Sequence, residues 1–275
     1  MLFNDFGMTQ GLDPGFIGDV RNTDISDVWV GDGYTNDEPG FGASFSNLEG
    51  YPVAGNTGSH IRILAHDLYN LGHQVYTVPQ SVFESMRINE LDSFDAILLN
   101  AGAQKTGKKP PFYSEMQFSI FSSELLDKLE DLKGLGKKLI VSAAYLGNEI
   151  KKTKGDTLLY ARINSLLGVK PVAIQAITLP IIFSSNLNGK QISLNFENKP
   201  NRFTYHVPNT DAVNFTTSAR INTDEEVLYR FAENDMPAIL KQDFDRSALI
   251  ISTVPLDLIQ NKSGRRNLLK DLFQN

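Results

Sequence analysis

Residues 94–100 read FDAILLN, residues 138–142 read KLIVS, and residues 248–254 read ALIISTV. Each is a short, nearly unbroken apolar run, not an alternating one. That pattern belongs to a strand covered on both faces, as the strands of a parallel sheet are. Between these runs the period lengthens to that of a helix. Ser59 is placed to cap a helix through Leu71, with Ile61, Leu64, Leu68 and Leu71 on one face and Gly72 as its stop. A second helix is predicted over 114–132, with Phe118, Phe121, Leu125, Leu129 and Leu132 on its apolar stripe and Gly134 and Gly136 beyond it. A third spans Asp156 to Leu167 and stops at Gly168. Short strands separated by helices imply right-handed βαβ units, and hence a flavodoxin-like parallel sheet flanked by helices.

Working outward, Met1–Asn4 suits a first strand, Gln74–Val78 a second, and Ser81–Met86 a helical turn. After residue 170 the pattern changes. Val172–Phe183, Gln191–Phe196 and Phe203–Val207 read as extended, with Asn186–Gly189 as a turn, and Val227–Ala232 with Ala238–Lys241 as a hairpin. The chain returns to the core at Ala248 and closes on a helix over Gly264–Phe273. The expectation is therefore a single α/β domain over 1–275, with an antiparallel β insertion at about 170–245. Residues 1–57 stand apart: they are loop-rich and hold nine acidic residues against one basic residue, Arg21. Loops of that length tend to serve a function or to be held by a partner or ion.

Composition narrows the function. With 275 residues, 41% hydrophobic and 21% charged, the chain has enough apolar material for a large core. The net charge of -6 argues against a nucleic-acid partner, which needs a basic face. There is no cysteine, so thiolate metal sites, disulfides and a cysteine nucleophile are excluded. No apolar run is long enough to span a membrane, since Val172–Phe183 is interrupted by Gln175, Thr178 and Pro180. Met1-Leu2-Phe3 leads directly into Asn4-Asp5 with no signal-peptide pattern, so the expectation is either a cytoplasmic protein or a piece whose leader lies upstream.

Three segments carry a family resemblance. They are Pro39–Ser44 (PGFGAS) with Ala54–Thr57 (AGNT); Phe94–Leu99 with Lys138–Gly147 (KLIVSAAYLG); and Ala248–Pro255 ahead of the terminal helix. Together they resemble a domain of secreted bacterial proteins labelled xanthan lyase, some of which also carry an N-acetylmuramoyl-alanine amidase domain. The resemblance runs along most of the chain and is weakest from about 185 to 235. It implies a class I glutamine-amidotransferase-like fold. It also implies an extracellular or periplasmic setting, with polysaccharide or cell-wall glycan and other domains of a longer chain as partners.

Ligands of open parallel sheets sit beyond the carboxyl ends of the strands. Those ends supply Asn4, Asp5, Asn100 to Gln104, and Ser142 to Tyr145, joined by the loop-to-helix junction Gly55–His60. Asn56 and Thr57 in that junction either cap the helix or bind a ligand, and its backbone N–H groups offer an anion site. In amidotransferase-like domains the strand-turn after Val141 is where the nucleophile falls. Here it reads VSAAYLG, without cysteine and without the G-x-S-x-G pattern. Ser142 is the hydroxyl available, and a serine needs a base, for which His60, His66, His73 and His206 are the candidates. Asp5 is a further catalytic candidate. Tyr145 either stacks on a ligand or covers the sheet. The acidic residues Asp19, Asp24, Asp27, Asp32, Asp37 and Glu38 raise a calcium site, although their spacing matches no EF-hand. Trp29 among them either anchors the loop or stacks on a sugar. Three functions follow: a non-catalytic or altered amidotransferase-like binding domain, a glycan lyase, hydrolase or cell-wall amidase using the strand-end pocket, or a cytoplasmic flavodoxin-like domain binding a small ligand.

Overall fold

The computed structural model describes residues 2–4, 59–102, 107–108, 116–117, 119–174, 181–185, 191–193, 210–216, 224–256, 259 and 261–274. Its elements run β1 (Leu2–Asn4), α1 (Ser59–Asn70), β2 (Thr77–Pro79), α2 (Gln80–Ser85), α3 (Ile88–Leu91), β3 (Ala96–Gly102), β4 (Gly107–Lys108) and β5 (Met116–Gln117). Next come α4 (Ser123–Gly134), β6 (Lys138–Ala143), α5 (Leu146–Lys152), α6 (Thr157–Leu167), β7 (Val169–Ala173), β8 (Ile181–Ser184) and β9 (Gln191–Ser193). The chain finishes with β10 (Ala212–Phe215), β11 (Asp224–Phe231), β12 (Pro237–Asp243), β13 (Ala248–Ser252) and α7 (Lys262–Gln274).

The main sheet has nine strands in the order β2-β1-β3-β6-β13-β12-β11-β8-β9. The first five are parallel. Counted among themselves they run 2-1-3-4-5, the flavodoxin-like order, whose connections reverse between β1 and β3. The other four continue the same sheet in antiparallel fashion from β13. The fold is thus α/β, with an antiparallel extension inserted in sequence between β6 and β13. A separate antiparallel pair joins β7 to β10.

Alternation along the strands divides the core. Ile97, Leu99, Leu139, Val141, Leu249 and Ile251 face α4, α5 and α6. Leu98, Ile140, Ile250 and Ile239 face α1 and α7. The inner strands are buried on both faces, which is why their sequences read as unbroken apolar runs.

On the second face, Asp67 of α1 has a side chain only 1% exposed. It is held by Arg265 Nε at 2.6 Å and Arg266 Nε at 2.8 Å, both from α7. Burial alone raises its pKa, but the hydrogen bonds and charges of the two guanidinium groups outweigh it and hold the carboxyl below its usual range. The two helices of this layer are therefore pinned together by charge as well as by Leu64, Leu68, Leu268, Leu269 and Leu272.

Several boundaries differ from those expected. The helix predicted from 114 begins at Ser123, because the Ser122 side chain accepts from Leu125 N and caps it there. Met116–Gln117 instead pairs with Gly107–Lys108. Helix α5 and strand β10 were not anticipated, and the second strand lies at Thr77–Pro79, not Gln74–Val78. Gly136 has φ +81, and a Cβ there would meet Arg246 O at 3.0 Å, so only glycine suits the turn into β6. Among the described residues no helix is long and apolar enough to cross a membrane.

Candidate functional site

Parallel pairing sets three polar residues side by side where the strands end. Asn100 of β3 is in register with Ser142 of β6, and Ser142 with Ser252 of β13. All three are fully buried. Alternation puts them on the face covered by α1 and α7, two residues beyond Leu98, Ile140 and Ile250. The two serines have partners. Ser142 Oγ donates to Val254 O at 3.1 Å, and Ser252 Oγ donates to the same oxygen at 2.9 Å while accepting from Val254 N. Asn100 has none among the described residues: neither its Oδ1 nor its Nδ2 meets a hydrogen-bond partner there.

The turn from β6 into α5 is where the sequence resemblance leads one to expect a nucleophile. Ala144 and Tyr145 occupy it, each 1% exposed. Tyr145 has φ -109 and ψ 34, and the one non-glycine residue with positive φ among those described is Asp235, far from this turn in the sequence. The strained backbone that lifts a serine out of a strand-to-helix elbow is therefore not found here. Asp211 closes over the turn instead. Its N–H donates to Ala144 O at 2.8 Å, and its Oδ2 accepts from Asn148 N at 2.5 Å, capping α5 from a remote part of the chain. Gly147 lets it approach: a Cβ there would lie 3.1 Å from Asp211 Cβ and Oδ2 and from Ile174 Cδ1. Gly147→Ala is expected to cost about 1 kcal/mol net, overpacking being partly offset by helix propensity, and urea unfolding would measure it.

Glu149, one turn into α5, is fully buried. Its Oε1 accepts from Ser119 Oγ at 2.6 Å, Ile120 N at 3.2 Å and Phe121 N at 3.4 Å, while its Oε2 has no partner among the described residues. Burial pushes its pKa up to about 7, against the pull of those three donors. Thr210, also buried, leaves its hydroxyl without a partner among the described residues. Glu149, Thr210, Asp211 and Ser252 were not anticipated from sequence. The i, i+4 apolar pair Leu146 and Ile150 was the available hint that this stretch is a packed helix carrying a carboxylate beside its buried stripe.

The residues singled out from sequence separate into groups. Ser142 and Tyr145 lie together at the carboxyl edge, both buried. Asn4 ends β1, the neighbour of β3 at that edge. His60 falls in the first turn of α1. Asp5, Asn56, Thr57, Gln104, His206, Trp29 and the acidic segment proposed for calcium lie outside the described residues. His66 is exposed on α1. His73 lies at the opposite edge of the sheet, in a cleft of about 1020 Å³ that it shares with Tyr76, Phe94, Ala96, Lys138 and Phe273. Ala96 and Lys138 begin their strands, so this cleft is at the amino edge, where open α/β sheets do not usually bind ligands. Among the described residues no group of His, Asp and Glu is arranged to hold a metal.

No family model and no curated protein matches the chain. Solved structures do resemble it. One is a GMP synthase-like protein of Thermoplasma acidophilum, with 14% identity, TM-score 0.41, and 78% of this chain and 86% of that one covered. Another is a ThuA-like protein of Bacteroides uniformis, with 11% identity, TM-score 0.43, and 76% and 83% covered. A third is an exo-β-1,4-mannosidase of an Opitutaceae bacterium, with 10% identity, TM-score 0.42, and 78% and 29% covered. The present chain spans 29% of that mannosidase and 25% of a similar GH42 β-galactosidase. Likeness at this level speaks to no shared reaction, and the α/β architecture stands on the strand pairing itself.

Proposed function

We propose that this chain is an amidotransferase-like domain that binds its ligand at the carboxyl edge of the parallel strands without nucleophilic chemistry. On this reading it serves polysaccharide or peptidoglycan processing in an extracellular or periplasmic protein, alongside other domains. The observation that carries it is the state of Ser142. In a chain with no cysteine, this serine is the aliphatic hydroxyl that precedes the turn, yet it sits inside the strand with its hydrogen bond directed to Val254 O. A nucleophile needs a base at hydrogen-bond reach, and Ser142 spends its hydrogen bond on a carbonyl.

Ser142→Ala is accordingly expected to cost about 1 kcal/mol of stability, the worth of one buried hydrogen bond, and to leave ligand binding intact. Glutamine hydrolysis should be absent from both forms. Turnover of a glutamine amide or a cell-wall peptide that disappears in Ser142→Ala would overturn the binding reading.

A glycan lyase, hydrolase or cell-wall amidase is the second reading, built on Asp5, His60, Ser142 and Tyr145. One observation favours it: Glu149, with a carboxyl that titrates near neutrality, lies on the helix leaving the same edge. Glycan turnover that is lost in Glu149→Gln, with folding retained, would decide for the enzyme.

A further inference from the structure

We infer that the amino terminus of α1 and the Asn100 carboxamide together form an anion subsite, taking a phosphate or carboxylate group that carries a hydroxyl beside it. This rests on the reading of the carboxyl edge as the binding region and specifies what that edge recognises.

Asn100 is the first ground. It is fully buried, and both atoms of its amide lack a partner among the described residues, at a strand position where Leu98 two residues earlier is apolar. An unpaired buried amide is costly, and a leucine would avoid the cost. Its place in the sheet is the second ground. β3 borders β1, where the connections of the parallel strands reverse and α/β sheets open their ligand crevice.

The third ground is what covers it. Leu98 packs in one cluster with Leu64 and Leu68 of α1. Helix α1 runs against the strands, because His73 just past its end lines the amino-edge cleft with Ala96 and Lys138. Going from Leu98 to Asn100 moves about 7 Å toward the carboxyl edge. Going from Leu68 back past Leu64 moves the same way along α1, about 6 Å per four residues. The Asn100 side chain therefore points to the face covered by the opening turns of α1. That first turn reads SHIR, with no acidic residue. Cations at a helix amino terminus oppose its dipole, and an anion seated there reverses the sign. His60 and Arg62 fall in the turn where a bound anion makes a cation favourable.

The chemistry of the ligand follows from the amide. Nδ2 donates to an anionic oxygen, whereas Oδ1 requires a donor. A bare anion satisfies only the first. Hydrogen phosphate supplies both through its P–OH, and so does a carboxylate with a hydroxyl close by on the same molecule, as a uronic acid has on the ring carbon next but one to its carboxylate.

The test uses the full chain, with inorganic phosphate and D-glucuronate as probes and sodium chloride at matched ionic strength as control. Saturating probe is expected to raise the melting temperature of the wild type by a few degrees, about 2–4 °C. Phosphate alone would mark the subsite as a phosphate site, and glucuronate alone as a sugar-acid site. Asn100→Leu should weaken binding roughly tenfold to a hundredfold. Should that variant not fold, Asn100→Ser removes the same amide. Equal binding in wild type and variant, or no response of the wild type to either probe, overturns the subsite. Neither result touches the binding reading, which falls instead on Ser142-dependent turnover.

Discussion

Replacing Asp67 by asparagine is expected to lower stability by about 3 kcal/mol at pH 7, within the range for breaking a buried ion pair by removing one partner. Its carboxylate, 1% exposed, faces Arg265 and Arg266, whose side chains are 11% and 29% exposed. The substitution leaves two partly buried guanidinium groups facing one neutral amide oxygen and an amide NH2 in place of a carboxylate that accepted from both. Their residual access to water keeps the loss below the upper end of that range. The pH dependence has a fixed sign. Asp67 has a folded pKa below its ordinary 3.8, so its contribution is complete above 3.8 and disappears as pH falls through the lower folded value. Urea unfolding of wild type and Asp67→Asn should give a constant difference from pH 7 to 5 and a shrinking one in more acid solution. A difference near zero at pH 7 would mean that apolar packing alone joins α1 to α7.

Glu149 is expected to act in the opposite direction and in a different window. Its carboxyl is raised from 4.5 to about 7 by burial, so the folded chain holds a proton that the unfolded chain releases. Stability from this group is complete below pH 4.5, declines as pH rises toward 7, and is flat above. A shift of that size corresponds to about 3 kcal/mol between pH 4.5 and 8. Glu149→Gln keeps an acceptor for Ser119 Oγ, Ile120 N and Phe121 N while removing the titration. The difference between wild type and this variant, followed by denaturant midpoints from pH 4.5 to 8, should move in the variant's favour as pH rises. A difference independent of pH would show that the carboxyl titrates in its ordinary range.

How far the sequence carried these conclusions varied with the range of the forces involved. FDAILLN, KLIVS and ALIISTV announced β3, β6 and β13 because strands covered on both faces leave no polar alternation. Helix α6 was legible at both ends: the Asp156 side chain accepts from Leu159 N, and Gly168 takes φ +64 as its cap. The apolar spacing that predicts a helix from 114 continues upstream of Ser122, where α4 is capped, and the choice between helix and strand there depends on the pairing of β4 with β5. Strand β10 gave no local sign, since its partner β7 lies some forty residues earlier, across unrelated chain.

The site followed the same logic. Its location was readable, because strand ends can be counted along the chain. Its chemistry was not. Nothing near Ser142 in sequence shows that Val254 O would accept its proton, nor does anything near Asp211 show that it would cap α5. Burial of Glu149 arises from Ser119, Ile120 and Phe121, thirty residues or so away, and a carboxylate in LGNEIKK otherwise reads as surface.

Backbone amide chemical-shift mapping with acidic glycan fragments reads out directly where this chain takes its ligand. Shifts concentrated at Ser59–Arg62, Asn100–Gly102, Ser142–Glu149, Thr210–Ala212 and Ser252–Leu256 are the expected result. Shifts confined to Tyr76, Phe94 and Lys138 at the amino edge would place recognition in the opposite cleft and contradict it.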